Sequence, residues 1–400
     1  MAMRITENMK YSTSVSSMFN VQNQYNSILE KMASQKRINR ISDDPLGMTM
    51  LLDFRQAGAS IDQYQRNIDN TSGWLSSTES KLSIVGDLLT KATELAVGQG
   101  TATVSAESRR VAAESVQQLK EEMLSLANSK YAGRYLFAGS RMDIDPFSST
   151  SQPARIDVPT SASANSFDGT VAAGGSYTGT TNKTYALKIV TGGILNDATY
   201  QVSSDGGKTW GAELDDLNTG TVTLSDGISL TFNDNGTNHL AAEDLFHVHA
   251  YGGGYYNGNN DDLILDIGRG ASVAYNVTGE AVFTGSNGAG TDIFESLDEL
   301  KTALANNDQQ GILAQVDRLK DAREQANFYV SKVGTTMNRL ELAKNNLQDF
   351  SQKLVELTSN TEDADVAGLA TSLAMKEIAL KATYVTASKI GSNTILDFIK

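Results

Sequence analysis

The chain has 400 residues, with 33 Lys and Arg against 47 Asp and Glu, a net charge of −14, four prolines and no cysteine. That length suits two or three domains, and the acidic balance argues against a nucleic-acid binder, which needs basic surface to neutralise phosphates. Without cysteine there are no disulfides, thiolate metal sites or Cys nucleophiles, and no apolar run approaches the ~18 residues of a membrane span.

The first segment, Met1 to Asn20, is too polar for a secretory signal peptide. Tyr11, Met18, Tyr25 and Met32 recur every seven residues, with Val15 and Leu29 beside them, and predict an amphipathic arm. Lys36, Arg37 and Arg40 read as a solvated or ion-paired face of the same helix. Asp43-Asp44-Pro45 has no EF-hand spacing and opens a helical pattern. It therefore reads as an N-terminal cap, with Pro45 in the first turn.

From there Phe54, Ile61, Ile68, Leu75, Leu82, Leu89 and Ala96 form one stripe, and Met50, Ala57, Tyr64, Thr71, Thr78, Val85 and Ala92 a second. These are a and d positions of a sustained heptad, predicting one helix over 46–97 that ends near Gly98 and Gly100. A shorter helix follows, carrying Ala112, Leu119 and Leu126 beside Val116 and Met123.

Residues 143–292 change character. They hold 5 basic against 18 acidic side chains, 22 of the 34 glycines and three of the four prolines. Tyr185, Leu187 and Ile189 alternate with polar residues, and Val222 and Leu224 lead through Asp226-Gly227 into Ile228, Leu230 and Phe232, a hairpin pattern. Tyr200 and Val202 precede Asp205-Gly206-Gly207 and Trp210. The Ser/Thr-rich stretch 143–183 reads in part as irregular linker.

Helical periodicity returns with Ile312, Leu319, Ala326, Val333, Leu340, Leu347 and Leu354, accompanied by Ala343, Phe350 and Leu357. Ser359 and Glu362 have capping-box spacing and predict a new helix start. The last helix carries Val366, Leu369, Leu373, Leu380, Ala387 and Ile390. Each helix shows a narrow seam that needs a partner. The fold class is α+β multidomain: a long antiparallel helical bundle or coiled-coil rod from both chain ends, with an inserted mainly-β domain. Its parts are arms at 1–42 with 361–400, a rod at 43–142 with 293–360, and an acidic outer domain at 143–292.

Chemistry is sparse. His247 and His249 share one strand face near Glu243 and Asp244, but no third strong ligand is specified, and His239 stands apart. No nucleophile elbow, zinc-binding helix or P-loop occurs. No catalytic, cofactor or metal residue is expected, and the Gly252-Gly253-Gly254 run reads as loop.

Several segments resemble the flagellin-like family, in the hook-associated form found at the hook–filament junction. They are Arg40-Ile41-Ser42-Asp43-Asp44-Pro45-Leu46-Gly47, Gly73-Trp74-Leu75 with Thr78-Glu79, Glu94-Leu95-Ala96-Val97, and the run from Asn128 through Tyr131-Ala132-Gly133-Arg134-Tyr135 to Ser140. Val333-Gly334, Asn338-Arg339-Leu340-Glu341, Glu362-Asp363-Ala364-Asp365 and Leu396-Asp397-Phe398 fit the return arm. The resemblance covers about 1–142 and 293–400.

The resemblance implies a structural, non-enzymatic flagellar subunit without a cofactor, forming a ring with copies of itself. Its implied partners are the hook-side junction protein (hook-associated protein 1), flagellin and an export chaperone on the C-terminal helix, with type III export to the extracellular flagellum. The implied assembly seam is Tyr11, Met18, Tyr25 and Met32 with Leu369, Leu373, Leu380 and Ile390. The rod core would be Phe54, Ile61, Ile68, Leu75, Leu82, Leu340, Leu347 and Leu354. Two alternatives stand beside it: the filament flagellin itself, and a helical stalk carrying a ligand-binding or enzymatic insertion.

Overall fold

The computed structural model describes residues 7–167, 169–195, 197–215, 217, 220–233, 240–285 and 290–392. Helices α1 (Glu7–Ser34), α2 (Pro45–Gln99) and α3 (Ala106–Ala127) come first, and α4 (Ile293–Ala305), α5 (Gln309–Glu362) and α6 (Val366–Ser392) close the chain. The described residues between them form short strands and a single π-helical turn, Glu280–Thr284. The chain divides into two compact units, one from residues 1–65 and 344–400, the other from 66–343. No helix among the described residues is long and apolar enough to cross a membrane.

In the first unit α1 lies against α6, and the start of α2 is tied to the end of α5 by the Arg55–Glu362 ion pair at 2.8 Å. Leu51 and Leu354 are buried there, while Phe54 and Leu347 are only half-buried. Phe350 and Leu357, expected beside the seam, are exposed.

In the second unit the heptads form a closed core. Ile68, Leu75, Leu82, Leu89 and Ala96 on α2 are buried, as are Ile312, Leu319, Ala326, Val333 and Leu340 on α5. A Cβ on Gly100 would meet the Leu313 side chain at 2.7 Å, and one on Gly86 would meet Asn327 Oδ1 at 3.6 Å. Stepping back along α2 thus means stepping forward along α5, so the two run antiparallel. Helix α4 packs on α3 through Phe294, Leu297, Leu300 and Leu304, all buried. Its start is fixed by Asp292, whose Oδ1 accepts from the Glu295 N–H at 2.9 Å. Ile293, Leu297, Leu300 and Leu304 behind Asp292 carry the periodicity and cap of this helix in the sequence itself.

Buried Arg109 on α3 finishes this core. It donates to the Gln99 and Thr101 carbonyls at 3.0 and 2.8 Å and to Asn307 Oδ1 at 2.6 Å. A cation thus meets the carbonyl end of α2, where the helix dipole favours positive charge.

The strands come in chain order as β1 (Lys130–Tyr131), β2 (Arg134–Tyr135), β3 (Phe147–Gln152), β4 (Arg155–Ile156), β5 (Thr160–Ser161), β6 (Thr170–Gly175) and β7 (Lys183–Thr191). They continue as β8 (Thr199–Ser203), β9 (Thr221–Thr223), β10 (Ile228–Asn233), β11 (Leu245–Tyr251), β12 (Gly254–Tyr256), β13 (Ile264–Gly268) and β14 (Ala271–Ala274). One sheet has the order β6-β10-β9 and a second β4-β11-β7-β8, with β5 also on β11. Tyr185, Leu187, Ile189, Phe246 and Val248 of the second sheet share a core with Val222, Ile228, Leu230 and Phe232 of the first.

The Asp226-Gly227 signal marks a real hairpin. Both residues have positive φ, 59° and 79°, and Leu230 faces Val222 across the pair. The 143–183 stretch differs from the linker expectation, for it holds β3 to β6. Its strands are short and lie at sheet or ribbon margins, where Ser, Thr and Ala suffice because little apolar surface is covered.

The antiparallel pair β3–β12 carries the chain into the β body and out again. Its Phe147 and Tyr256 cluster with Phe283 and Phe294 at ring centroid distances of 5.1–5.9 Å. Phe147 and Phe283 lie in the acidic stretch and Phe294 in α4, so packing is continuous across residues 142/143 and 292/293.

Candidate assembly surface

The turn after α1 and the turn before α6 form one joint within the first unit. Gln35 takes a left-handed φ of 58°. The chain then pairs with the turn after α5: Arg37 N donates to the Glu362 carbonyl at 2.7 Å, and Ala364 N to the Gln35 carbonyl at 3.0 Å. The buried Glu362 carboxylate receives Lys36 Nζ at 2.6 Å as well as Arg55. Burial opposes its ionisation, but these two cations outweigh it and hold the carboxyl below its ordinary value.

Asp43, Asp44 and Gly47 of the Arg40-to-Gly47 motif have mechanical tasks here. Asp43 accepts the Asn39 and Arg40 N–H groups at 3.0 and 2.9 Å, and these backbone bonds depress its pKa. Asp44 caps α2 by accepting from Gly47 N at 2.9 Å. Ile38 is buried, and a Cβ on Gly47 would stand 2.6 Å from both its Cδ1 and the Asp44 carboxylate, so a side chain there would have to push the cap and Ile38 aside.

Two expectations are corrected by this geometry. Lys36, Arg37 and Arg40 lie in turns beyond the end of α1, paired to Glu362, Asp44 and Glu30; the left-handed Gln35 stops the helix before them. Ser359 and Glu362 sit inside α5, which runs on to Glu362. The start of α6 is capped instead by Asp365, whose Oδ1 accepts from Ala367 and Gly368 N–H at 3.0 and 3.1 Å.

Along α1 and α6, Met18, Tyr25 and Met32 and Leu369, Leu373 and Leu380 are half-buried. Lys376 Nζ donates to Gln24 Oε1 at 2.7 Å and the Tyr384 hydroxyl to Gln22 Oε1 at 3.3 Å, holding the helices together. The side chains of Tyr11 and Ile390 lie outside the described residues, as do Leu396-Asp397-Phe398 and His239.

The narrow-seam expectation fails for α6. Met375, Ile378 and Val385 lie on the face opposite Leu369, Leu373 and Leu380 by the 3.6-residue period, and they are 60%, 69% and 55% exposed. Phe19 and Leu29 on α1 are exposed too. Among the described residues, no side chain of α1 or α6 is buried. The pair has an inner seam and an uncovered apolar outer face.

His249 is engaged within its own sheet. His249 Nδ1 lies 2.9 Å from Thr184 Oγ1, and burial, with Arg141 nearby, pushes its pKa down to about 4. Burial also lowers His247. Asp244, buried, accepts from Ser166 N and Ala241 N at 2.8 and 2.9 Å. Among the described residues no group of three or more His, Asp or Glu is arranged to hold a metal.

Residues 5–142 match the family described as the bacterial flagellin N-terminal helical region. The chain is 33% identical over 146 residues, 36% of its length, to flagellar hook-associated protein 3 of Salmonella typhimurium, and spans 46% of that relative. It thus spans about half the length of the hook-associated relatives it matches. A flagellin of Clostridium tyrobutyricum is 23% identical over 91% of this chain and 93% of its own. Among solved structures, a putative flagellar hook-associated protein from Vibrio parahaemolyticus has the same fold, with TM-score 0.50 at 14% identity over 80% of this chain and all of that one.

Proposed function

We propose that this chain, whose first 142 residues carry a flagellin-type helical region, is a structural subunit of the bacterial flagellum at the junction between hook and filament. The observation that carries the reading is the terminal pair. Helices α1 and α6 join through a half-buried seam yet leave Met375, Ile378 and Val385 in solvent, and a large apolar face is stable when another chain covers it. In the assembly, α1 and α6 of neighbouring copies pack together, the α2–α5 heptads form the surrounding layer, and the acidic β body faces outwards, where its charge discourages lateral sticking.

The hook-side junction protein, flagellin and an export chaperone on the C-terminal helix are the partners of this reading, and type III export its route. The match to a hook-associated relative supports the junction over the filament. The flagellin that aligns along most of the chain keeps the filament subunit as second reading. An enzymatic insertion lacks support, since His249 and Asp244 are engaged by Thr184, Ser166 and Ala241.

Deletion of the gene separates the readings. A junction subunit leaves hooks that leak flagellin monomer into the medium. Hooks with no flagellin to leak identify the filament subunit, and unchanged filaments overturn both.

A further inference from the structure

Away from the helical faces, α2, the β1–β2 hairpin and the β13–β14 hairpin enclose a cavity of ≈ 500 Å³, walled by Trp74, Tyr131, Tyr275, Arg134, Asn70 and Thr71. Its construction is specific. The rings of Tyr131 and Tyr275 stand edge-on to the Trp74 indole, at 6.0 and 6.1 Å and interplanar angles of 81° and 88°. A Cβ on Gly73 would lie 2.3 Å from the Tyr131 hydroxyl, so the phenol reaches the helix only because position 73 is glycine. Ala132 and Gly133 both take positive φ, 48° and 82°. That tight turn sets Tyr131 directly opposite Arg134, and residues so paired share one face of a hairpin.

The polar groups here are one-sided. Trp74 is 7% exposed, and its buried Nε1–H meets no acceptor among the described residues. Arg134 forms no ion pair among them, and no carboxylate lines the cavity, in a chain of net charge −14. An apolar ligand would cover the Arg134 guanidinium, which is exposed to solvent, without offering it an acceptor. A cation would be repelled by Arg134 in spite of the aromatic walls. A bare inorganic anion would leave three ring surfaces unused. The combination fits a molecule with a C–H-faced ring to lie on aromatic walls, a hydroxyl to accept from the Asn70 amide, and a carboxylate for the exposed guanidinium. Its volume lies within the range of small-molecule sites, about 300–1,000 Å³.

We propose that this cavity is a binding site for an acidic saccharide: one or two pyranose rings bearing a carboxylate.

The chain has two tryptophans, so in the full-length Trp210→Phe protein Trp74 gives the single indole N–H signal in a ¹H–¹⁵N spectrum. Titration with glucuronate is expected to shift that signal and saturate in about the millimolar range. Glucose and benzoate, which lack the carboxylate or the hydroxylated ring, should bind at least about tenfold more weakly. Arg134→Gln should cause a similar loss at unchanged melting temperature, and Arg134→Lys, which keeps the charge without the planar fork, a smaller one. The proposal is overturned if glucuronate gives no saturable shift, if benzoate or glucose binds as well, or if Arg134→Gln binds undiminished. Should the Gln variant melt early, the Lys variant decides: equal affinity for glucuronate and glucose sinks the assignment.

Discussion

The ammonium of Lys36 stands 2.6 Å from the carboxylate of Glu362, joining the turn after α1 to the last residue of α5. Glu362 is buried and also takes Arg55, so one carboxylate at the far end of the sequence organises two cations near its beginning.

Because its folded pKa is depressed, Glu362 contributes stability that is complete above the ordinary Glu pKa, about 4.3, and is lost as pH falls through the lower folded value. Both cations are half-exposed, which limits the effect. Glu362→Gln should cost about 1 kcal/mol at pH 7 and flatten the acid limb of the melting curve. A variant that melts like the parent at pH 7 would show the joint to be held by its backbone bonds alone.

Glu280 has the opposite sign. Burial raises its pKa to about 7, against the Asn260 and Asn182 donors that favour the charged form. The folded protein therefore holds a proton that the unfolded chain releases, and stability falls as pH rises from about 4.5 to about 7. Glu280→Gln, which mimics the protonated form, should remove that slope and stabilise the protein by about 1–3 kcal/mol at pH 8, read from denaturant melts across the range.

Arg109→Ala should destabilise the second unit by about 2–4 kcal/mol, since two helix-end carbonyls and Asn307 lose a buried cationic donor. Arg109→Lys should recover little, because a single ammonium cannot reach three acceptors in a planar fork. Urea unfolding of the three proteins checks this.

The two faces of α6 predict two phenotypes. Leu373→Asp with Leu380→Asp should open the α1–α6 pair within the monomer, lowering its helix content. Met375→Asp with Ile378→Asp should leave the monomer's circular dichroism unchanged and abolish assembly, as read by filament attachment. Normal filaments from the second variant would exclude the outer face as an interface.

The β body should be excised at its ribbon rather than at the composition boundary. Replacing residues 153–253 by Asn-Gly closes β3 on β12 and keeps Phe147, Tyr256, Phe283 and Phe294 together. That protein should melt cooperatively, whereas deletion of 143–292 should lose several kcal/mol with the aromatic cluster. Equal melting of the two would show that the cluster is dispensable.

Periodicity made the helices readable. Ile61, Ile68, Leu75 and Leu82 repeat every seven residues and are buried, and Asp226-Gly227 needed only its own dihedral preferences to mark a turn. Local signals of this kind survive in the sequence because the residues that make them are neighbours. Tyr131 to Tyr135 carried no Asn-Gly or Asp-Gly, so its hairpin was hidden behind an alanine at φ 48°.

The heptads and the composition thus made legible the long helices of both chain ends, a mainly-β middle, the stripes that seek partners, and the confinement of the acidity to that middle. Tertiary structure decided the rest. Only folding brings Glu362 to Lys36 and Arg55, Arg109 to Asn307, and Trp74 to Tyr131 and Tyr275. It also decided that Met375 and Ile378 stay outside while Leu373 turns inward. A helix's periodicity states which residues share a face, but which face is covered depends on the partner, and most partners here are distant in the chain.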